Sequence, residues 1–257
     1  MKIVAGVISH PGKCREKNED NYCFNSMMPD EVNASKLEGT KRPPQHGALF
    51  GVFDGMGGIS AGERASYIAA SVAVDAMNSF DKSDNTEEIL VEICKKANDL
   101  LCDEMNNIIK KRMGTTAAML CFAKSRYYMC NIGDSPIFML RKSELSEISH
   151  EHTEKETYIK MLGEENLPPN KKYKLTQHLG IFPDEMIIEP YVISEKVCTG
   201  DKFLICSDGL TDMVSREEIA QTLSMDIPVG KITKILCARA LENGGKDNIT
   251  IITIQIK

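Results

Sequence analysis

The feature that most constrains the fold is an apolar run that ends in an acid and a glycine cluster, in residues 49–58. Leu49 to Val52 have the residue types of a buried strand, and Phe53 leads directly to Asp54. Glycines follow at 55, 57 and 58, so we predict a tight turn in which backbone can come close to a ligand. An ion or a phosphate would suit a carboxylate at such a strand tip. An Asp-Gly step after a strand can also be only a turn, and this motif alone leaves both interpretations open.

The same pairing of a strand with an acid occurs twice more. The apolar run 203–206 ends in Ser207-Asp208-Gly209, and Lys246-Asp247-Asn248 immediately precedes the β-branched run 249–256. The last run is typical of a strand. Three acids are therefore predicted at strand ends.

A charged cluster near the N-terminus lies between two predicted strands, 3–9 and 22–24. Such a cluster is usually a solvated turn. Between two strands, however, Arg15, Glu19 and Asp20 can all point to one end of a sheet, so a role in a site stays open.

The other predicted elements follow from hydrophobic periodicity. Helices are predicted over 61–80, from Asn85 through Ile108, near 155–162, after Ser215 and over 228–243. The periodicity of the second helix places Ile108 on its buried face. Strands are predicted over 115–122, 127–131 and 137–141. Asn85 with Glu88 and Ser215 with Glu218 have the spacing of capping boxes. Short connections between the three strands predict antiparallel pairing.

Two segments have the composition of surface loops. Residues 26–47 are polar, and residues 150–185 are polar and irregular, as in a flap over a site. Lys171, Lys172 and Lys174 form a basic patch in the second segment. We interpret the patch as a solvated loop, with contact to an acidic or phosphorylated partner as the alternative.

Gly133-Asp134-Ser135 lies between two of the predicted strands. A hairpin turn that happens to contain an acid and a role for Asp134 in a site are equally favoured at this point.

Composition limits the class of protein. The chain has 257 residues without a shift in composition, which predicts a single domain over 1–257. A net charge of -6 argues against a nucleic-acid binder. Nine cysteines without a CxxC pair indicate reduced thiols, with a Cys121–Cys130 bridge as the less favoured alternative. No run resembles a signal peptide or a membrane span, so we expect a cytoplasmic protein without membrane or nucleic-acid partners.

The acids at strand ends need a physical reason to come together. Two carboxylates about 4 Å apart repel by roughly 4 kcal/mol at an effective dielectric near 20. Hard divalent cations relieve this repulsion, and oxygen ligands without a His or Cys set favour Mg²⁺ or Mn²⁺. Arg15 has the planar fork that grips a phosphate. Metal-activated water with an arginine clamp is suited to the hydrolysis of a phosphate ester.

Six motifs occur in an order that resembles the metal-dependent protein phosphatases of type 2C. They are Arg15-x-x-x-Glu19-Asp20, Phe53-Asp54-Gly55-x-Gly57-Gly58, Gly114-Thr115-Thr116, Asn131-x-Gly133-Asp134-Ser135, Ser207-Asp208-Gly209-Leu210 and Lys246-Asp247-Asn248-Ile249-Thr250. The resemblance runs from Arg15 to Thr250, and the Asp54-Gly55-Met56 form looks most like the bacterial-type branch.

This resemblance implies an α+β fold, a four-layer α-β-β-α sandwich in which two antiparallel sheets are flanked by helices. It also implies hydrolysis of phosphoserine and phosphothreonine in proteins by a hydroxide that bridges two Mn²⁺ or Mg²⁺ ions, without a phosphoenzyme. The implied partners are phosphorylated proteins, the signalling targets of a Ser/Thr kinase, and we expect a monomer.

The resemblance further assigns roles to the motif residues. Asp54 would bridge the two ions and the Gly55 carbonyl would bind one of them. Asp208 and Asp247 would hold the other ion, Glu19 and Asp20 would bind directly or through water, Arg15 would take the substrate phosphate, and Asp134 with Asp208 would hold a weaker third ion.

Two positions depart from the family pattern. Met56 stands where many eukaryotic members have a His that is a candidate general acid, and a thioether cannot donate a proton. Pro136 stands where an Arg often follows the Gly-Asp-Ser motif, which bears on the third ion.

Two other functions stay open. One is a catalytically inactive relative that binds partners, although Arg15 and all the acids of the motifs are retained. The other is a metallohydrolase of another phosphomonoester. A nucleotide switch is disfavoured because neither glycine cluster continues as GK[ST].

Overall fold

A computed structural model of the chain describes residues 2–29, 37–41, 47–56, 61–80, 85–168 and 172–257. The strands within these ranges are β1 (Ile3–His10), β2 (Asp20–Phe24), β3 (Leu37–Lys41), β4 (Ala48–Met56), β5 (Gly114–Thr115), β6 (Ala117–Ala123), β7 (Arg126–Ile132), β8 (Ile137–Arg141), β9 (Glu144–Glu147), β10 (Tyr191–Lys196), β11 (Lys202–Cys206) and β12 (Ile249–Ile256). The α-helices are α1 (Gly62–Asn78), α2 (Thr86–Glu104), α3 (Lys155–Leu162), α4 (Asp208–Thr211), α5 (Arg216–Ser224) and α6 (Val229–Glu242).

The strands form two antiparallel sheets. The first sheet has the order β3-β1-β12-β11-β8-β9 and the second has the order β10-β7-β6-β4-β2, with β5 paired to the end of β4. Helices α1 and α2 pack on the second sheet, whereas α6 packs on β1 and β12 of the first and α5 packs on β8. The predicted four-layer α-β-β-α sandwich is therefore confirmed.

The alternation of side chains along a strand explains why the central strands are apolar on both faces. In β4, Phe50 and Val52 belong to the core between the sheets, whereas Leu49 and Phe53 belong to the core under α1 and α2. Because both faces are covered, neither face of β4 needs polar residues, and the uninterrupted apolar run at the start of the motif follows.

Aromatic side chains fill the space between the sheets. Phe203 of β11 lies edge-on to Phe122 at 5.3 Å and to Tyr127 at 5.2 Å between ring centroids. Phe122 continues this contact to Phe50 at 6.1 Å, and Phe50 contacts Phe24 at 5.2 Å. These edge-to-face contacts join the two sheets across the core.

The structure corrects two predictions about loops. Strand β3 lies inside the segment 26–47 that was predicted to be loop, and it pairs with β1 through backbone hydrogen bonds. Strand β8 does not pair with β7; it joins the other sheet, next to β11 and β9. Gly133-Asp134-Ser135 is therefore a crossover between sheets, and the hairpin interpretation is wrong.

Helix α2 departs from its predicted form at both ends. The Asn85 side chain accepts a hydrogen bond from the Glu87 amide at 3.3 Å, so it caps the helix without the box expected with Glu88. A π-helical turn, Met105–Ile109, changes the register after the helix and leaves Ile108 71% exposed instead of buried. The capping box of Ser215 with Glu218 is confirmed.

All nine cysteines are free thiols, and only Cys14 and Cys198 among them are exposed. In the β6–β7 ladder Cys121 lies opposite Tyr128 and Cys130 lies opposite Met119, so the strand register does not align the two thiols. The less favoured Cys121–Cys130 bridge is absent. In the described part of the chain no helix combines the length and the apolar character of a membrane span.

Phe203→Ala should lower the free energy of unfolding by about 3–5 kcal/mol, because it removes a fully buried ring that contacts two others. Urea denaturation measures this loss. Ile187→Ala, at a side chain that is 76% exposed, is the control and should change stability by less than about 0.5 kcal/mol. Equal effects of the two substitutions would show that the ring cluster does not hold the sheets together.

Candidate metal centre

Asp20 and Asp54 lie directly opposite each other on the neighbouring strands β2 and β4. Asp20 is buried, with 4% exposure, and Asp54 is partly exposed. Like charges at directly opposite positions of an antiparallel pair destabilise it. The register of the sheet thus imposes a carboxylate pair that an ordinary strand pair would avoid.

Threonines hold the backbone of Asp54 in place. The Asp54 amide donates to Thr116 Oγ1 at 3.0 Å, and the Asp54 carbonyl accepts from the Thr116 amide at 2.9 Å and from Thr115 Oγ1 at 2.9 Å. Thr116 Oγ1 also shares a hydrogen bond of 2.7 Å with Ser135 Oγ, next to Asp134. The Gly114-Thr115-Thr116 motif therefore fixes Asp54 and ties it to the crossover segment.

Asp20 also has a partner beside the first sheet. This partner is Ser207, which directly follows β11 and precedes Asp208. Ser207 Oγ donates to Asp20 Oδ2 at 2.7 Å and accepts from the Thr250 amide at 3.0 Å. Asp20 Oδ1, in contrast, is buried without a hydrogen-bond partner. A buried oxygen left without a donor is costly unless something else satisfies it.

Asn248 fastens the N-terminal loop to the motif that contains Asp247. Its Nδ2 donates to the carbonyls of Pro11 at 2.9 Å and Lys17 at 2.8 Å, and its Oδ1 accepts from the Glu19 amide at 2.7 Å. This one side chain sets the position of a loop more than two hundred residues away in sequence.

Gly55 allows close approach of three backbone segments. A Cβ at this position would lie 2.2 Å from the Gly62 carbonyl oxygen and 2.4 Å from that of Glu19. The Gly55 amide donates to the Glu19 carbonyl at 3.2 Å. Any larger residue would push β4, the N-terminal loop and α1 apart. Gly57 and Gly58 of the same motif lie outside the described residues.

Arg15 is next to the acids predicted with it. Its Nη2 donates to Asp247 Oδ2 at 2.8 Å, and 54% of its side chain is exposed. The hydrogen bond and the charge of Asp247 raise the pKa of Arg15, so the guanidinium stays charged. It is accessible to a ligand that arrives from solvent.

The acids share one electrostatic neighbourhood. Burial, followed by the charges of Asp20, Asp208, Asp134 and Asp247, raises the pKa of Asp54 well above its usual range. Burial also raises the pKa of Asp20 to about 7, partly offset by hydrogen bonds from Ser207 and Thr250. Burial and, after it, the mutual repulsion of the acids therefore both disfavour the charged carboxylates.

The outer acids show the same effect. Burial and the charge of Asp208 raise the pKa of Asp134 to about 6. Burial also raises the pKa of Asp208 against the opposing charge of Lys172, and burial with the charge of Glu63 raises the pKa of Glu19.

The donor chemistry fits a hard divalent cation. The groups are carboxylates and backbone carbonyls, the ligands of Mg²⁺ and Mn²⁺, and the unsatisfied Asp20 Oδ1 is available to bind. As placed, no three His, Cys, Asp or Glu side chains of the described residues are arranged to hold an ion. The acids lie close enough to affect one another's pKa, and their role as metal ligands is a proposal.

Lys172 contacts the site in a way that its sequence context does not predict. It is an exposed loop residue, as expected, but its Nζ also lies 3.1 Å from Asp208 Oδ2 and 2.9 Å from Asp212 Oδ2. Lys174 is exposed, and Lys171 lies outside the described residues. No sequence pattern identifies Lys172, because its position depends on how the polar segment 150–185 folds back.

Comparisons with known proteins show which family the chain belongs to. The sequence pattern of the family described as protein phosphatase 2C matches residues 40–236. The chain is 29% identical over 215 residues to the serine/threonine protein phosphatase PstP of Mycobacterium tuberculosis, covering 81% of this chain and 40% of PstP. It therefore spans less than half the length of that relative.

Two further matches cover more of the partner. The chain is 31% identical over 210 residues to the protein phosphatase PhpP of Streptococcus pneumoniae, covering 79% of this chain and 83% of PhpP. It superimposes with a TM-score of 0.80 and 26% identity, over the full length of both chains, on the crystal structure of the PstP catalytic domain in complex with two manganese ions.

Mn²⁺ should raise the melting temperature, because a cation that binds only the folded chain stabilises it. At 100 times its Kd the gain is about 2.7 kcal/mol, or roughly 5–10 °C for a chain of this size. Differential scanning calorimetry with and without Mn²⁺ measures the shift. Asp54→Asn should reduce it strongly, whereas Asp99→Asn, an exposed acid on α2, should not. An unchanged melting curve for the unsubstituted protein would contradict the metal centre.

Proposed function

Because the chain belongs to the protein phosphatase 2C family, we propose that it is a metal-dependent protein phosphatase that hydrolyses phosphoserine and phosphothreonine. The observation that carries the proposal is the convergence of acids from both sheets. Asp20 and Asp54 come from β2 and β4, while Asp208 and Asp247 follow β11 and precede β12. The substrates of the protein would be phosphorylated proteins, the targets of a Ser/Thr kinase.

Residue roles follow from position and chemistry. Burial and the charges of four other acids raise the pKa of Asp54. We assign Asp54 to the position that would hold both Mn²⁺ or Mg²⁺ ions, and the Gly55 carbonyl would bind one of them. The further ligands in this proposal are Asp208 and Asp247 at one ion, Glu19 and Asp20 directly or through water, and Asp134 with Asp208 at a weaker third ion.

The ions would supply charge that neutralises the acids and lowers the pKa of a coordinated water. The protein's own contribution is positioning. Thr115, Thr116 and Asn248 hold the backbone of the acids and of the N-terminal loop, so little reorganisation is needed when substrate binds.

Arg15 is the proposed phosphate-binding residue. It is exposed at the edge of the acids and is hydrogen-bonded to Asp247, which keeps its guanidinium beside the proposed metal ligands. A phosphate that bridges metals and guanidinium would gain charge-assisted hydrogen bonds. Met56, at the end of β4, provides no proton for the leaving group, and the general acid stays unassigned.

The two alternative functions are less well supported. An inactive relative would be expected to have lost a residue of the site, and Arg15 with all the proposed acids is present. Hydrolysis of another phosphomonoester would use the same chemistry, so only a comparison of substrates separates it. We also propose one domain over 1–257, a monomer, and a cytoplasmic location.

A panel of phosphopeptides tests the function. With millimolar Mn²⁺, phosphoserine and phosphothreonine peptides should be hydrolysed faster than matched phosphotyrosine peptides, and removal of the metal by EDTA should abolish turnover. Asp54→Asn should also abolish turnover while the far-UV circular dichroism spectrum is unchanged. Turnover that survives both treatments would contradict the two-metal mechanism. Hydrolysis of small phosphomonoesters without hydrolysis of any phosphopeptide would favour the other metallohydrolase.

Arg15→Ala should raise KM for a phosphopeptide by roughly 10- to 100-fold, the loss of charged hydrogen bonds to phosphate. Steady-state kinetics at saturating Mn²⁺ gives KM and kcat separately. Lys13→Ala is the matched control, since Lys13 is an exposed cation on the same loop, and it should leave KM nearly unchanged. If only kcat falls, Arg15 acts in the transition state and not in substrate binding.

A further inference from the structure

Lys172 crosses from the polar segment between α3 and β10 to the start of α4. Its ammonium group bridges Asp208 Oδ2 at 3.1 Å and Asp212 Oδ2 at 2.9 Å. Asp208 is the first residue of α4 and Asp212 directly follows that helix. One lysine therefore serves two acids, one of which belongs to the proposed metal centre.

The contact places an ammonium group against a carboxylate that is a proposed metal ligand. Lys172 hydrogen-bonds to Asp208, the acid assigned above to one ion and shared with the third. An ammonium group and a divalent cation repel each other, and both draw on the charge of the same carboxylate. The ammonium group is largely exposed, so it carries its charge at neutral pH.

The exposure of the pair argues against a mainly structural role. The side chain of Lys172 is 68% exposed and that of Asp212 is 40% exposed. Exposed ion pairs contribute little to folding. The charge of Lys172 matters more to whatever else binds Asp208, which is only 27% exposed.

The surroundings of Lys172 leave room for its side chain to move. A cavity of about 420 Å³ is lined by Lys172, Asp208 and Asp212, and by Glu151, which is already paired with Lys155. A lysine displaced from Asp208 would keep Asp212 as a partner.

We infer that Lys172 is a built-in competitor of the divalent cation at Asp208, which weakens metal binding there and so sets the metal concentration at which the enzyme becomes loaded. The inference rests on the metal centre proposed above. By linkage, a cation bound at Asp208 also weakens the contact of Lys172 with that acid.

Isothermal titration calorimetry with Mn²⁺ and no substrate tests the inference on the full chain. Lys172→Met should lower the Kd of the affected site about five-fold, at the low end of typical coupling between sites because the lysine is largely exposed. Lys172→Arg keeps the charge and should stay close to the unsubstituted protein. Lys174→Met removes the same charge from an exposed neighbour and should change Kd by less than two-fold, roughly the limit of a screened surface charge.

Different failures have different signatures. If Lys172→Met leaves Kd unchanged but lowers the melting temperature without metal, the lysine is only a clamp on α4 and the inference is overturned. An equal decrease in Kd for Lys172→Met and Lys174→Met would also overturn it, because the effect would then be one of overall charge. If the unsubstituted protein binds no Mn²⁺, the metal centre fails, and the inference with it. If the protein binds Mn²⁺ and Lys172→Met lowers Kd as expected, but no phosphopeptide is hydrolysed, only the proposed function is rejected.

Discussion

Repulsion between carboxylates is the constraint on which the arrangement of the site depends. Asp20 and Asp54 face each other across a strand pair, and Asp208 and Asp247 add charge from the other sheet. Each such pair opposes folding by up to a few kcal/mol at close range. The apolar core between the sheets and the hydrogen bonds of Thr116 offset this cost. The fold therefore tolerates a group of acids that destabilises it, as expected where function conflicts with folding.

Strands covered on both faces were the predictable part of the fold. The apolar runs in β4, β11 and β12 are recognisable in the sequence, because strands buried on both faces consist mainly of apolar residues. Strands β3 and β10 could not be predicted in this way. Each lies at the edge of its sheet, where backbone hydrogen bonds to one neighbour hold it and its side chains need not be apolar. Pairing of this kind is a tertiary property that a local pattern does not carry.

The site divides in the same manner. Asp54 was predictable because a strand and glycines frame it, and the ordered motifs placed the remaining acids with it. Lys172 was not, since a loop lysine has no periodicity and its partner lies 36 residues away. Ile108 failed for a different reason: a π-helical turn adds a residue to the local repeat, and a stripe counted at 3.6 residues per turn then points to solvent. Which residues ligate the ions stays a prediction.

The acids are divided between two sheets, which contact each other through the side chains of the core and through hydrogen bonds such as that of Ser207 with Asp20. The packing of Phe122 against Phe203 contributes to how closely the sheets approach, and so to the separation of Asp54 from Asp208. A smaller or larger side chain at either position is expected to shift one sheet relative to the other. A substitution in the interior can in this way change the spacing of the carboxylates while every residue of the site itself stays the same.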